Sequence, residues 1–453
     1  MKEDLKLYIK TFHSKNFQYK RRDIDIPFRT EKIITLIGSR RVGKSHLCYQ
    51  IVDDLVSKGV DKKEILYFNF EDERFEFSSK TLNTILEAYG ELYPELDFFK
   101  CYFIFDEIQE VENWEKFVRR IHESVSKNIF LTGSSSKLLS KEISTRLRGR
   151  TLSFEVYPLS FREYLRFMNV LDDIYVEKNR MRIKNLFSKY IEGSYPEILN
   201  LDDSSLVYEM YKTYLDVMIY RDIIERYNIQ NREVLFYFIK KVASNISTEF
   251  SINKIHNELK SQGFKVSKDF LYDLPYILED IFFVYFLKRF DFKSGNSPIR
   301  KVYTNDVGFS KLFKFSQDRG RLLENVVFIE LKRRKYEIFY HSEKKECDFL
   351  LRERDSITCA IQVTQSLYDF ETRQREFDGL LEAMKIHNLD EGMILTEDEE
   401  GEETREVSLE SGESREKRGG RRESEKGRES GKNGEKTRRV KIIIKPIWKW
   451  LLE

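Results

Sequence analysis

A parallel α/β fold of the P-loop type is what this sequence predicts, and three observations predict it. An apolar stretch, Ile33–Ile37, runs into Gly38-Ser39-Arg40-Arg41-Val42-Gly43-Lys44-Ser45, a full match to G-x-x-x-x-G-K-[ST]. A second apolar stretch, Tyr102–Phe105, ends in Asp106 and Glu107. The further runs Ile65–Phe70, Ile129–Thr132 and Leu152–Val156 alternate with helical stretches, the pattern of buried parallel strands joined by helices.

Residues 1–30 read as a polar helix and a basic connector holding Lys20, Arg21 and Arg22. The first strand then delivers the glycine-rich loop. Its glycines let the backbone curl around phosphates, and its N–H groups with the following helix N-terminus favour an anion. Lys44 is expected to reach the β- and γ-phosphates, and Ser45 to offer its hydroxyl to Mg2+. The plain alternative, a turn before an ordinary helix, does not require the full motif. The strand Ile65–Phe70 is expected between the strand carrying the loop and the strand carrying Asp106, as in P-loop ATPases with an added catalytic glutamate. Asp106 is expected to hold the Mg2+ shell and Glu107 to polarise the attacking water. After Ile129–Leu131, Thr132 and Ser134 are candidates to bond the γ-phosphate or the water; a serine-capped turn explains them equally well. Arg146, Arg148 and Arg150 alternate before the next strand. One of them is a candidate arginine finger, in cis or from a neighbouring subunit, against a solvated basic loop.

Past Pro158 the pattern changes. After the ATPase core, 31–160, residues 161–230 read as helical. Residues 231–304 read as winged-helix-like, with Ile252–Lys260 as second helix, Ser267–Glu279 in the recognition position and a strand pair after it. Residues 305–453 read as a smaller α/β domain. Within it, 397–439 is dominated by Glu, Lys, Arg, Ser and Gly. So little apolar surface cannot offset the entropy of ordering, which predicts a disordered insert.

Composition sets bounds. The 453 residues hold 79 basic and 77 acidic side chains, so net charge argues neither for nor against a nucleic-acid partner. The four cysteines, 48, 101, 347 and 359, form no C-x-x-C pair, which disfavours structural zinc and a disulfide framework. The N-terminus lacks an apolar leader, and the longest apolar run, Ile281–Leu287, is far short of the roughly 20 residues of a membrane span. A cytoplasmic protein with no membrane association is expected.

The stretches I-G-S-R-R-V-G-K-S, Y-F-I-F-D-E-I-Q, F-L-T-G-S-S-S-K-L-L and L-R-G-R-T-L-S-F-E-V-Y-P-L-S-F-R-E-Y-L resemble a prokaryotic family of AAA-type P-loop ATPases. So do Y-I-E-G-S-Y-P-E, V-M-I-Y-R-D-I-I-E-R-Y, V-Y-T-N-D-V-G-F and G-R-L-L-E-N-V-V-F-I-E-L. The resemblance implies ATP binding, a helical and winged-helix region, and a C-terminal restriction-endonuclease-like domain. Within its L-x-G-R pattern Arg150 is preferred as the finger. Nucleases of that fold place an Asp on one strand and Glu-x-Lys on the next, the carboxylates holding Mg2+. Here Asp348 supplies the Asp, but Gln362 stands for the Glu and Thr364 for the Lys. Glu324 and Glu330 on the preceding helix are candidate additional carboxylates. The expectation is a nuclease fold with weakened or lost chemistry.

The function expected is therefore an ATPase using ATP and Mg2+, a switch or motor coupled to a C-terminal region that holds a partner. DNA and further copies of the chain stand as candidate partners. The alternatives are a DNA-binding or nuclease module in which ATP is regulatory, and a protein-interaction platform using the charged insert.

Overall fold

The computed structural model describes residues 1–28, 30–78, 81–134, 147, 149–170, 176–291, 300–313, 318–408 and 437–453. Two compact units divide the chain: Met1–Ile246 with Phe250–Phe286 and Val302–Gln317, and Ser247–Glu249 with Leu287–Lys301 and Asp318–Glu453.

The first unit begins with helix α1 (Lys2–Ser14), which buries Leu5, Ile9 and Phe12 at helical spacing. Phe12 stacks on Tyr67 with ring centroids 4.7 Å apart. There follow β1 (Ile33–Ile37), α2 (Lys44–Ser57), β2 (Ile65–Asn69), α3 (Asn83–Leu92), β3 (Tyr102–Asp106), α4 (Trp114–Ser124), β4 (Ile129–Gly133) and β5 (Thr151–Glu155). The strands form one parallel sheet in the order β2-β3-β4-β1-β5. Every residue of β1 and β4 is buried, as continuous apolar runs require when helices cover both faces. The strand between β1 and β3 is β4, not Ile65–Asn69, which lies at the sheet edge; the expected position of that strand is corrected accordingly. Adjacency in sequence is no guide here, because a crossover helix can carry the chain past one strand position, which β4 later fills.

Helices α5 (Phe161–Phe167), α6 (Glu177–Tyr190), α7 (Ser204–Val217), α8 (Arg232–Ser244), α9 (Ile252–Ser261) and α10 (Lys268–Asp280) complete this unit. Ser160 and Glu163 form a reciprocal capping box at the start of α5. Helix α7 runs on as a π-helix, Met218–Glu225, a form that recurs at functional sites. Strands β6 (Glu249–Phe250), β7 (Val284–Lys288) and β8 (Arg300–Thr304) pair in the order β6-β8-β7, and the division between units falls within them.

The second unit holds α11 (Arg319–Arg333), β9 (Glu337–Ser342), β10 (Glu346–Glu353), β11 (Ser356–Val363), α12 (Phe370–His387), β12 (Glu391–Thr396), β13 (Gly401–Ser408), β14 (Thr437–Pro446) and α13 (Ile447–Trp450). Its six-stranded mixed sheet runs β13-β14-β12-β11-β10-β9. Leu350, Ala360, Phe377, Leu380, Ile394 and Ile442 sit in its core. The predicted disordered insert is corrected at both ends. Residues 401–408 pair antiparallel with β14, from Gly401↔Ile444 to Ser408↔Thr437. Val407 is buried, and Glu402 and Glu406 pair across the strands with Lys441 (2.9 Å) and Arg439 (3.5 Å). A charged edge strand has the composition of a solvated loop, which is why composition alone misreads it. Residues 409–436 of the insert lie outside the described residues.

Near the end of α12, His387 meets the edge of Phe290 (centroids 4.9 Å apart) and His341 (6.0 Å). Burial, then the charge of His341, lowers its pKa from 6.5 to about 4. The unfolded chain therefore takes up the proton first. Its contribution to stability is full above pH 6.5 and is lost as pH falls toward 4. Urea unfolding of the second unit should lose about 2 kcal/mol across that window through this group, the full shift being discounted for solvent screening of a part-exposed ring. The variant His387→Leu should flatten the slope; an unchanged slope would show that His387 is not its source.

Candidate functional site

The glycine-rich loop joins the end of β1 to the start of α2. Gly38 has φ +154°, and a Cβ there would stand 2.3 Å from the Val156 carbonyl oxygen, so no side chain fits. Gly43 has φ +95° and caps α2. A loop that turns its N–H groups inward must turn carbonyls elsewhere, and these need donors. Two buried cations supply them. Arg22 Nη1 donates to Val42 O at 2.6 Å, Nη2 to Tyr157 O at 2.8 Å and Nε to Glu163 Oε1 at 2.8 Å. Lys44 Nζ donates to the Gly38 and Ser39 carbonyls at 3.1 Å each and lies 3.4 Å from Glu107 Oε1.

Asp106 and Glu107 follow directly, because Asp106 is the last residue of β3. Asp106 is fully buried. Its Oδ2 accepts from Tyr67 OH at 2.7 Å, its Oδ1 accepts from Thr132 Oγ1, and the Ser45 hydroxyl is close enough to lower its pKa. Burial and the neighbouring Glu107 charge raise its pKa against those hydrogen bonds. Glu107 stands at φ +53°, a strained position for a residue with a side chain, and its N–H donates to Thr132 Oγ1 at 2.9 Å. Burial pushes its carboxyl up as well, but the Lys44 ammonium, Gln109 and Arg40 together outweigh that, and the net shift is down. Glu107 is thus held ionised.

The structure brings Ser45 to Asp106 and Lys44 to Glu107. Thr132 does not keep its hydroxyl for a phosphate: it donates to Asp106 and accepts from Glu107 N, and so acts as a spacer for the carboxylates. Ser134 Oγ, just beyond, is buried with no partner among the described residues. Arg150 is not brought to the loop, which corrects a finger acting in cis. It precedes β5, which runs parallel to β1 with Ile33 opposite Thr151, and its guanidinium pairs with Glu123 at 2.7 Å. The loop leaves the other end of β1, about 16 Å away at the usual strand rise. Arg146 and Arg148 lie outside the described residues, as do Ser135 and Ser136.

Other partners escape the motif. Arg40 Nε bonds Asp222 Oδ2 on the π-helix at 2.9 Å, and Nη1 bonds Glu71 Oε1 at 2.9 Å. Arg41 pairs with Glu197 at 2.8 Å. Ser39 Oγ meets Tyr195 OH at 2.8 Å and accepts from Asn305 Nδ2 at 2.8 Å. Asp306 accepts from Tyr211 OH at 2.6 Å and from Ser194 N at 2.8 Å. The only hint of these in the sequence is that Ser194, Tyr195, Glu197, Asp222, Asn305 and Asp306 fall in the quoted resemblance stretches. Beside Gly43 and His46 a cavity of about 260 Å³ opens, walled by Tyr19, Phe167, Pro196 and Leu199.

In the second unit Asp348 and Glu324 do converge, but around a residue the motif did not supply, while Gln362 accepts from Asp348 N. Lys301 Nζ, from β8, lies 2.9 Å from Asp348 Oδ1, 3.1 Å from Glu324 Oε1 and 2.7 Å from Glu346 Oε1. The expected loss of an ammonium, inferred from Thr364, is therefore corrected. Glu330 is directed elsewhere, to Arg334 at 2.8 Å and to Arg333.

Comparison with known proteins bears on the first unit as a domain. Residues 30–165 match the family described as an AAA domain, and residues 183–318 match a family described as a domain of unknown function. Over 388 residues the chain is 36% identical to the uncharacterized protein MJ1544 of Methanocaldococcus jannaschii, covering 83% of this chain and 85% of that one. Over 359 residues it is 31% identical to an uncharacterized protein of Haemophilus influenzae, covering 78% and 86%. Among solved structures, the Walker-type ATPase PABY2304 of Pyrococcus abyssi is similar, with a TM-score of 0.38 and 17% identity over 62% of this chain and 90% of that one.

Replacing Arg22 with Met leaves Glu163 buried beside a lost partner and the Val42 carbonyl short of a donor. Arg22→Met should cost about 3–5 kcal/mol in urea unfolding, and Arg22→Met/Glu163→Gln should recover part of it. A single-variant loss under about 1 kcal/mol would show that Arg22 does not brace the loop.

Proposed function

Because the chain belongs to one family with MJ1544 and its residues 30–165 match an AAA domain, we propose that it binds Mg-ATP and hydrolyses it, acting as a switch or motor. One observation carries this reading: a buried Glu107, kept ionised, 3.4 Å from Lys44 and next to the Asp106–Ser45 pair. Ser45 and Asp106 fit a divalent cation. Ser45 is close enough to Asp106 to lower its pKa, and Asp106, raised by burial and by the Glu107 charge, would gain a counter-charge from the ion. The ion would neutralise charge on the β- and γ-phosphates. The adenine base fits the cavity beside Gly43, with the apolar walls Phe167, Pro196 and Leu199.

On nucleotide binding, Lys44 exchanges the Gly38 and Ser39 carbonyls and Glu107 for phosphate oxygens. Glu107 is released to orient a water and accept its proton as the water oxygen bonds the γ-phosphorus and the bond to the bridging oxygen breaks. Arg40, held by Asp222 and Glu71 and close enough to Glu107 to lower its pKa, supplies further positive charge at this end. Arg150 serves a neighbouring copy in this reading, which makes the active form a homo-oligomer.

A DNA-bound role is the second reading. The order α8-β6-α9-α10-β7-β8 supports reading this region as a winged helix, and Lys254, Lys260, Lys265 and Lys268 are exposed. Against it, α10 also exposes Asp269 and Asp273, which repel phosphate.

ATP turnover, measured with and without duplex DNA at two salt concentrations, tests both. Glu107→Gln should lower kcat by about 100-fold or more with nucleotide affinity retained, while Lys44→Ala should lose binding. Turnover that persists in Glu107→Gln would remove it as the base. Stimulation by DNA that weakens with salt would favour the second reading. Arg150→Ala should impair turnover only at concentrations where copies associate.

A further inference from the structure

The restriction-endonuclease resemblance implies a divalent metal at Asp348 and its neighbours, and the residues present do not fit one. We infer that the second unit carries its own cation there, the Lys301 ammonium, in place of a metal, and that this cluster does not cleave phosphodiesters.

An ammonium has three N–H donors. Lys301 meets three carboxylates, Glu346 at 2.7 Å, Asp348 at 2.9 Å and Glu324 at 3.1 Å, the first two from β10 and the third from α11. Its side chain is 1% exposed, and the ring of Tyr340 lies 5.7 Å from the nitrogen. These distances suit N–H···O bonds. Mg2+ instead needs oxygens at about 2.0–2.1 Å in an octahedron, several of them water. The nitrogen already fills the centre of the cluster, so an ion could enter only if a buried lysine left.

The remaining ligands are committed elsewhere. Asp348 Oδ2 accepts from Val363 N at 2.9 Å. Gln362, where a nuclease places its second carboxylate, accepts from Asp348 N at 3.2 Å and donates to Glu376. Its amide ties strand to helix, and as a neutral group it brings no charge for a metal to pair with. No group of three or more His, Cys, Asp or Glu among the described residues is arranged to hold an ion.

Mn2+ binding to the full, nucleotide-free chain, followed by electron paramagnetic resonance, tests this. Wild type and Asp348→Asn should take up Mn2+ alike, with no site that depends on Asp348. Lys301→Met removes the ammonium and leaves the carboxylates. It should gain one Mn2+ per chain at least tenfold tighter than any in wild type, melt at a higher temperature with Mn2+ than with EDTA, and lose both effects in Lys301→Met/Asp348→Asn. Should Lys301→Met not fold, Lys301→Met/Glu346→Gln, with one fewer unpaired charge, carries the same comparison. A wild-type Mn2+ site removed by Asp348→Asn, DNA cleavage abolished by Asp348→Asn, or a folded Lys301→Met that takes up no Mn2+ would each overturn the inference.

Discussion

The nucleotide site depends on where the carbonyls of one loop point. For a backbone to present its N–H groups to an anion, its carbonyls must face protein, and each needs a donor or it costs about as much as a lost hydrogen bond. Arg22 answers for Val42, and Lys44 for Gly38 and Ser39. Arg22 also bonds the Tyr157 carbonyl past the end of β5 and Glu163 in the first turn of α5. One guanidinium therefore fixes the loop, the N-terminal connector and the chain leaving the sheet. Gly38, pressed against Val156, sets the same spacing from the other side.

Within that frame two adjacent carboxylates acquire opposite properties. Asp106 and Glu107 are both buried, so desolvation pushes both toward the protonated form. Asp106 receives the neutral hydroxyls of Thr132 and Tyr67, with Ser45 near, and stays raised. Glu107 faces Lys44 and Arg40 and is lowered. The left-handed backbone at Glu107 makes the difference, since it turns the second side chain toward the loop rather than on along the strand. Acidic groups pulled apart in this way take separate roles, one as a ligand and one as a base.

The phosphate loop and the Asp106-Glu107 pair were legible because their chemistry fixes residue types over a short contiguous stretch. The strands β1, β3 and β4 were legible because burial on both faces leaves a nearly uninterrupted apolar run, whereas β5 at the sheet edge is only partly buried. Strand order was not: β4 slips between β1 and β3 through a crossover that no local pattern records. Arg22, Asp222, Asn305 and Lys301 were missed for a related reason, since each acts on a partner far away in sequence. Lys301, for example, is 47 residues from Asp348. Strand β13 was missed because the charges that keep an edge strand from pairing further look the same as the charges of a disordered segment. Arg150 fits its motif, and only the parallel pairing of β1 with β5 shows that it starts the strand at the end remote from the loop.

Two buried lysines show how the same side chain serves opposite ends. Lys44 holds one carboxylate at 3.4 Å and two neutral carbonyls, so leaving them gives up one stretched ion pair and two hydrogen bonds to neutral acceptors. A polyphosphate offers several negative charges at contact distance, and the exchange is downhill; the residue is poised to move. Lys301 holds three carboxylates within 3.1 Å, and withdrawing it would strand two nearly buried charges, Asp348 and Glu324. A divalent ion would have to repay that loss and shed its own tightly held water besides. With Gln362 having removed one of the charges that would attract the ion, the balance favours the ammonium. The first lysine is placed where a ligand can displace its partners, and the second where nothing small can.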